Sequence, residues 1–148
     1  VRCASVHHGC RAGRLPEARL IMVLAGPPRF FVCAAAGLVD GEYRKLRLVF
    51  EKREEECLVL RFEGTVYAYI NRCVHMPRRL DCEKKHVFDA SGRFLRCSMH
   101  GIVYKPQTGA SVSTMCEGEK LRAVEVYEEG GEVGIADFRV TAAELIPG

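Results

Sequence analysis

The sequence predicts an all-β fold. Three observations carry that expectation. From Phe30 onward the apolar residues come in short runs or alternate with polar ones, as strands require. Glycine-bearing dipeptides punctuate the runs, notably Glu63-Gly64 and Gly130-Gly131, where a positive φ allows a tight hairpin turn. Only one stretch, residues 141–146, reads as a short helix, begun by Thr141 as an N-cap.

The strands follow in order. Residues 30–34 form a short apolar run of the buried type. Residues 43–51 alternate, with Leu46, Leu48 and Phe50 on one face and Lys45, Arg47 and Val49 on the other. The charged run 52–56 reads as a solvated turn. Residues 57–62 and 65–70 form a hairpin across Glu63-Gly64; Val66, Ala68 and Ile70 face one side of it, Tyr67 and Tyr69 the other. That hairpin delivers the chain directly to Cys73. Residues 86–89 and 93–96 flank Ala90-Ser91-Gly92 as a second hairpin, in which His86 is expected on the surface or packed. Residues 112–115, 121–127 and 132–135 complete the strands, with a turn at Gly130-Gly131.

The two ends differ from this pattern. Residues 1–19 show neither period, and residues 20–26 are an apolar stretch of seven residues stopped by Pro27-Pro28. A secretory signal needs an h-region of about 7 to 15 residues and a small-residue cleavage site, and this stretch is poorly formed for one. Residues 1–27 therefore read as an N-terminal tail, disordered or over-extended, with the native start expected at Met22. Residues 28–136 form the expected domain and residues 137–148 a C-terminal tail.

At 148 residues the chain is sized for one domain. Its apolar fraction of 48% is enough for a real core. Net charge is +3 with both signs interspersed, and no basic run or aromatic–basic alternation supports nucleic-acid binding. No apolar run approaches the about 18 to 20 residues of a membrane span. Of eight cysteines, Cys3 and Cys10 lie in the tail, while Cys33 and Cys57 sit in apolar runs where a free thiol acts as a small hydrophobe. Cys82 and Cys116 read as reduced thiols or, as the second option, a pair.

Two segments concentrate the chemistry, Cys73-Val74-His75 and Cys97-Ser98-Met99-His100, separated by 21 residues. Each places a thiolate and an imidazole within reach of one metal centre. Two Cys and two His build either a tetrahedral zinc site or a two-iron cluster with mixed ligands. Between the ligand pairs, Pro77 stiffens the first loop and is followed by Arg78 and Arg79. That arginine pair reads either as a docking patch for an acidic redox partner or as a solvated loop tip.

This order and its flanks resemble the Rieske iron–sulfur family. The likeness continues from Cys97 through Gly101-Ile102-Val103-Tyr104 to Pro106, Thr108 and Gly109, and Cys116 to Leu121 falls where the family closes its cluster domain. It covers roughly residues 28–136. The resemblance implies a Rieske-type antiparallel β-sandwich with a cluster-binding subdomain of two hairpin loops. It implies a [2Fe-2S] cluster with Cys73 and Cys97 on one iron and His75 and His100 on the other. Membrane-anchored members carry a disulfide between these loops, but Met99 and Arg78 stand at the two places here. Ile102 stands where those members have a cluster-bonding Ser, and Tyr104 matches the position of a cluster-tuning Tyr, with simple anchoring of the loop by its hydroxyl as the alternative. Fewer hydrogen bonds to the sulfurs lower the potential. The likeness is therefore to the soluble ferredoxins of ring-hydroxylating oxygenases, although the gap between ligand pairs is longer than in most of them.

From that resemblance follow a one-electron carrier without independent catalysis, a cytoplasmic location, and partners in a flavin reductase and a terminal oxygenase. No nucleic-acid, membrane or small-molecule partner is expected. Two alternatives stand beside it: the small Rieske-type subunit of a nitrite-reductase-like flavoenzyme, and a zinc-stabilised interaction module. A complete oxygenase needs a second domain whose iron is held by two His and a carboxylate. Beyond the ligands only His7, His8 and His86 remain, and no second domain fits.

Overall fold

The computed structural model describes residues 26–99 and 101–147; the expectations for the N-terminal tail lie outside this range almost entirely. Among the described residues ten strands run in order: β1 Arg29–Ala34, β2 Tyr43–Phe50, β3 Arg53–Phe62, β4 Thr65–Ile70, β5 Leu95–Arg96, β6 Val103–Tyr104, β7 Ala123–Val124, β8 Val126–Glu129, β9 Glu132–Ala136 and β10 Val140–Ile146. They assemble into a three-stranded sheet ordered β1-β9-β8, a five-stranded sheet ordered β10-β2-β3-β4-β7, and the small pair β5-β6. All pairings between strands are antiparallel. The expected all-β class and antiparallel sandwich are what the chain forms.

Period-two alternation explains the two cores. Leu46, Leu48 and Phe50 of β2, Cys57 and Val59 of β3, and Val66, Ala68 and Ile70 of β4 point toward Val32, Val133 and Ile135 of the facing sheet. The intervening positions Leu58, Leu60 and Phe62 of β3 and Tyr69 of β4 point the other way, into a second core with Leu80, Val87, Leu95 and Tyr104. Strand β3 is thus buried on both faces along Cys57–Leu60. The second core is what joins the β5-β6 subdomain to the sandwich. Each fully buried leucine contributes about 1.5–3 kcal/mol through its removal from water.

The hairpin across Glu63-Gly64 forms as expected, with φ of 49° and 81° at its two turn residues. Gly130-Gly131 likewise turns β8 into β9, at φ 57° and 77°. Three local expectations are corrected. The charged run 52–56 is not a turn: β3 begins at Arg53, opposite Phe50, and the turn is Glu51-Lys52 at φ 50° and 67°. Its charges fit a strand because they pair across or beyond it, Glu54 with Arg47 at 3.1 Å and Glu55 with Arg72 at 2.8 Å. Residues 112–115 are not a strand. After the isolated bridge at Ser111 the chain curls into a single 3₁₀ turn, Thr114–Cys116, while the Ser113 hydroxyl accepts the Val103 N–H at 3.0 Å. Residues 141–146 are not a helix. They belong to β10, which pairs with β2, so the open hydrogen-bonding groups of that edge outweigh local helix preference.

Candidate metal centre

The two loops that carry the candidate ligands lie against each other. The first begins where β4 stops. Asn71, buried at the base, accepts the Leu80 N–H on Oδ1 at 2.9 Å and donates through Nδ2 to Asp81 at 3.0 Å. One side chain thereby clamps both ends of the segment from Cys73 to Leu80. Inside it, the Cys73 N–H donates to the Arg78 carbonyl at 2.7 Å and the Arg78 N–H to the Met76 carbonyl at 2.7 Å. The narrow turn that results buries Cys73 and leaves His75 exposed. Asp81 also receives Lys45 Nζ at 2.7 Å. Burial opposes ionisation of Asp81, but the bonds from Lys45 and Asn71 win and hold its carboxyl below the usual range.

The second loop joins β5 to β6. The Cys97 N–H donates to the Ile102 carbonyl and the Gly101 N–H to the Cys97 carbonyl, both at 2.9 Å. Gly101 sits at φ 70°, the left-handed conformation that closes this turn. Cys97 is buried. His100 lies in this loop and outside the described residues.

The loops are fastened to each other. The Ser98 N–H donates to the Leu80 carbonyl at 2.8 Å, and Ser98 Oγ accepts the Glu83 N–H at 3.0 Å. Beneath them the Tyr104 ring is fully buried. Its hydroxyl lies 3.1 Å from Cys73 Sγ and accepts the Val74 N–H at 3.1 Å. Burial and the Cys73 thiol push the Tyr104 hydroxyl's pKa upward, so it stays protonated. Beside a thiolate at Cys73 only the tyrosine can donate. The bond from the Val74 N–H makes the hydroxyl a loop anchor, and its place beside Cys73 Sγ is the contact a tuning role would use.

Residues 105–109 close a further turn behind the loops. Tyr69 donates its hydroxyl to the Pro106 carbonyl at 2.6 Å, and a Cβ on Gly109 would stand 2.7 Å from the Tyr69 ring. Cys82 and Cys116 are free thiols, and Cys82 Sγ lies 3.7 Å from Ser98 Oγ. Of the arginine pair, Arg79 is ion-paired with Glu56 at 2.9 Å. Among the described residues, no three His, Cys, Asp or Glu side chains group as a single-ion site.

A buried sulfur donor on each of two fastened loops, with an imidazole exposed above one of them, suits a centre bound at two unlike ends. The chain belongs to the Rieske family: the Rieske [2Fe-2S] domain matches residues 29–128, and a domain of this family binds a [2Fe-2S] cluster.

Among solved structures the chain is similar to the ferredoxin of carbazole 1,9a-dioxygenase from Nocardioides aromaticivorans IC177. The two are 27% identical with a TM-score of 0.56, over 74% of this chain and 97% of that one. It also resembles a chain of the reduced complex between oxygenase and ferredoxin in carbazole 1,9a-dioxygenase, at 23% identity and TM-score 0.59, over 84% of this chain and 35% of that one. The terminal oxygenase of carbazole 1,9a-dioxygenase from Novosphingobium sp. KA1 aligns at 23% identity and TM-score 0.59, over 74% of this chain and 30% of that one. The chain thus spans about a third of the length of those last two. No curated protein sequence matches it. Among the described residues no helix is long and apolar enough to cross a membrane.

Proposed function

We propose that this chain is the ferredoxin component of an oxygenase system, carrying one electron at a time. Cys73 and Cys97 hold one iron of the [2Fe-2S] cluster, and His75 and His100 the other. The observation that carries this reading is the pair of fastened loops, on which Cys73 and Cys97 are buried and His75 is exposed. The cluster, when bound, supplies the one-electron redox step. The chain's own residues do the rest. Tyr104 donates to the Cys73 sulfur, the Leu80, Ile102 and Tyr104 side chains keep water from the sulfur end, and His75 presents its ring to a partner.

A flavin reductase supplies the electron and a terminal oxygenase receives it. The likeness to the Nocardioides ferredoxin, which spans nearly all of that chain, supports the carrier reading. A reducing, cytoplasmic location agrees with the free thiols at Cys33, Cys57, Cys82 and Cys116. Replacing either His75 or His100 by Ala is expected to abolish the Rieske EPR signal while far-UV circular dichroism stays β. A signal that survives either change would overturn this ligand set.

A further inference from the structure

A cleft of about 400 Å³ opens on the flank of the second loop, between the start of β2 and the hairpin of residues 86–96 that contains β5. The rings of Tyr43 and Phe88 give it apolar walls, and Lys84, His86 and Arg96 stand on its rim. One carboxylate lies there, Asp89, and it is engaged in its own turn: Oδ1 accepts the Ser91 hydroxyl at 2.6 Å and the Phe94 N–H at 3.4 Å.

Three other arginines near the cluster end are matched by acids. Arg72 pairs with Glu55, Arg79 with Glu56 and Arg122 with Glu51. Among the described residues no ion pair engages Lys84, His86 or Arg96. Arg96 also touches the second loop, since a Cβ on Gly101 would stand 3.0 Å from its Nη2. A charge placed on Arg96 is therefore placed beside the loop that carries Cys97.

We propose that this cleft is the docking site for an acidic segment of the redox partner, one carboxylate bound at Arg96 and its neighbours at Lys84 and His86. The proposal rests on the electron-transfer reading above. Charge complementarity selects the occupant: unmatched cations around an apolar-walled cleft take a glutamate or aspartate side chain, whose methylene stem lies on the rings. Coupling to the cluster follows from the position of Arg96. Reduction adds one negative charge beside the docked carboxylate, so the segment binds the oxidised protein more tightly. By reciprocity docking favours the oxidised state, which assists release of the electron to the docked partner.

The test uses the cluster-loaded protein and a fluorescein-labelled hexaglutamate peptide, followed by anisotropy at low salt. The wild-type protein is expected to bind, and more weakly after reduction with dithionite. Lys84→Glu/Arg96→Glu should weaken binding by about tenfold or more, and Lys84→Glu alone, which leaves the second loop untouched, by about threefold. Arg78→Glu should change it by less than about twofold. Absence of binding by the wild type, equal affinity in both oxidation states, or an equal loss in Arg78→Glu would overturn the site. Each protein's visible and EPR spectra are recorded first. A wild type without cluster signals contradicts the electron-transfer reading itself, whereas intact signals with indifferent binding contradict only the docking site.

Discussion

The Tyr104 hydroxyl has two neighbours and can serve both at once, accepting from the Val74 N–H and donating to Cys73 Sγ. Donation to a cluster sulfur stabilises the more negative, reduced state. Tyr104→Phe should therefore lower the reduction potential; a differential of about 1 kcal/mol corresponds to roughly 40 mV for one electron. Protein-film voltammetry reads this directly, and an unchanged potential would leave the hydroxyl as a loop anchor only. Tyr104 was legible because it follows Cys97 at a motif position. Asn71 was not. A lone Asn after a strand is compatible with any turn, and only the fold brings its amide opposite Leu80 and Asp81. Ser98 escaped notice for the same reason: its bonds to Leu80 and Glu83 cross between loops far apart in sequence.

Among the elements, hairpins announced by glycine were legible, because Gly64 and Gly130-Gly131 supply positive φ at no steric cost. The Glu51-Lys52 turn was hidden, since neither residue signals the left-handed conformation both adopt. Strand β10 was hidden because its place depends on the free edge of β2, which local propensity does not report. Its approach is held by Asp137. Oδ2 accepts the Glu125 N–H at 3.0 Å, and Arg139 binds both carboxylate oxygens. Burial alone would raise this carboxyl, yet Arg139 and the backbone donors bring it to about 2. A carboxyl lowered below its unfolded value of about 3.9 contributes stability above that pH and loses it as pH falls through the folded value. Thermal melts should show Asp137→Asn well below wild type near pH 5, with the gap closing toward about pH 2. A gap that stays constant would contradict the ion-pair account. Gly109→Ala tests the turn behind the loops. At φ 71°, with the Tyr69 ring 2.7 Å from the added Cβ, it should cost about 2–4 kcal/mol in denaturant unfolding.

For the whole molecule, β3 and β4 separate two cores with different tasks. One closes the sandwich; the other seats the ligand loops on it. Leu80→Ala, at a fully buried position in the second core, should cost about 2–5 kcal/mol and speed cluster loss on heating, followed by bleaching of the visible absorption. Two Cys and two His at short spacing pointed to a metal centre because they leave few chemical options, whereas the burial of Cys73 and Cys97 and the exposure of His75 came only with the fold. Ile102 is buried and offers no hydroxyl, so the potential is expected toward the lower part of the family's span of about −150 to +300 mV. The central claim is that thiolates grip one end of a two-iron centre and imidazoles the other. The most direct measurement is the EPR spectrum of the dithionite-reduced protein, taken with iron and acid-labile sulfide analysis. The account predicts a rhombic Rieske signal from a protein carrying iron and sulfide in equal amounts; a colourless protein with one zinc per chain and no sulfide would contradict it.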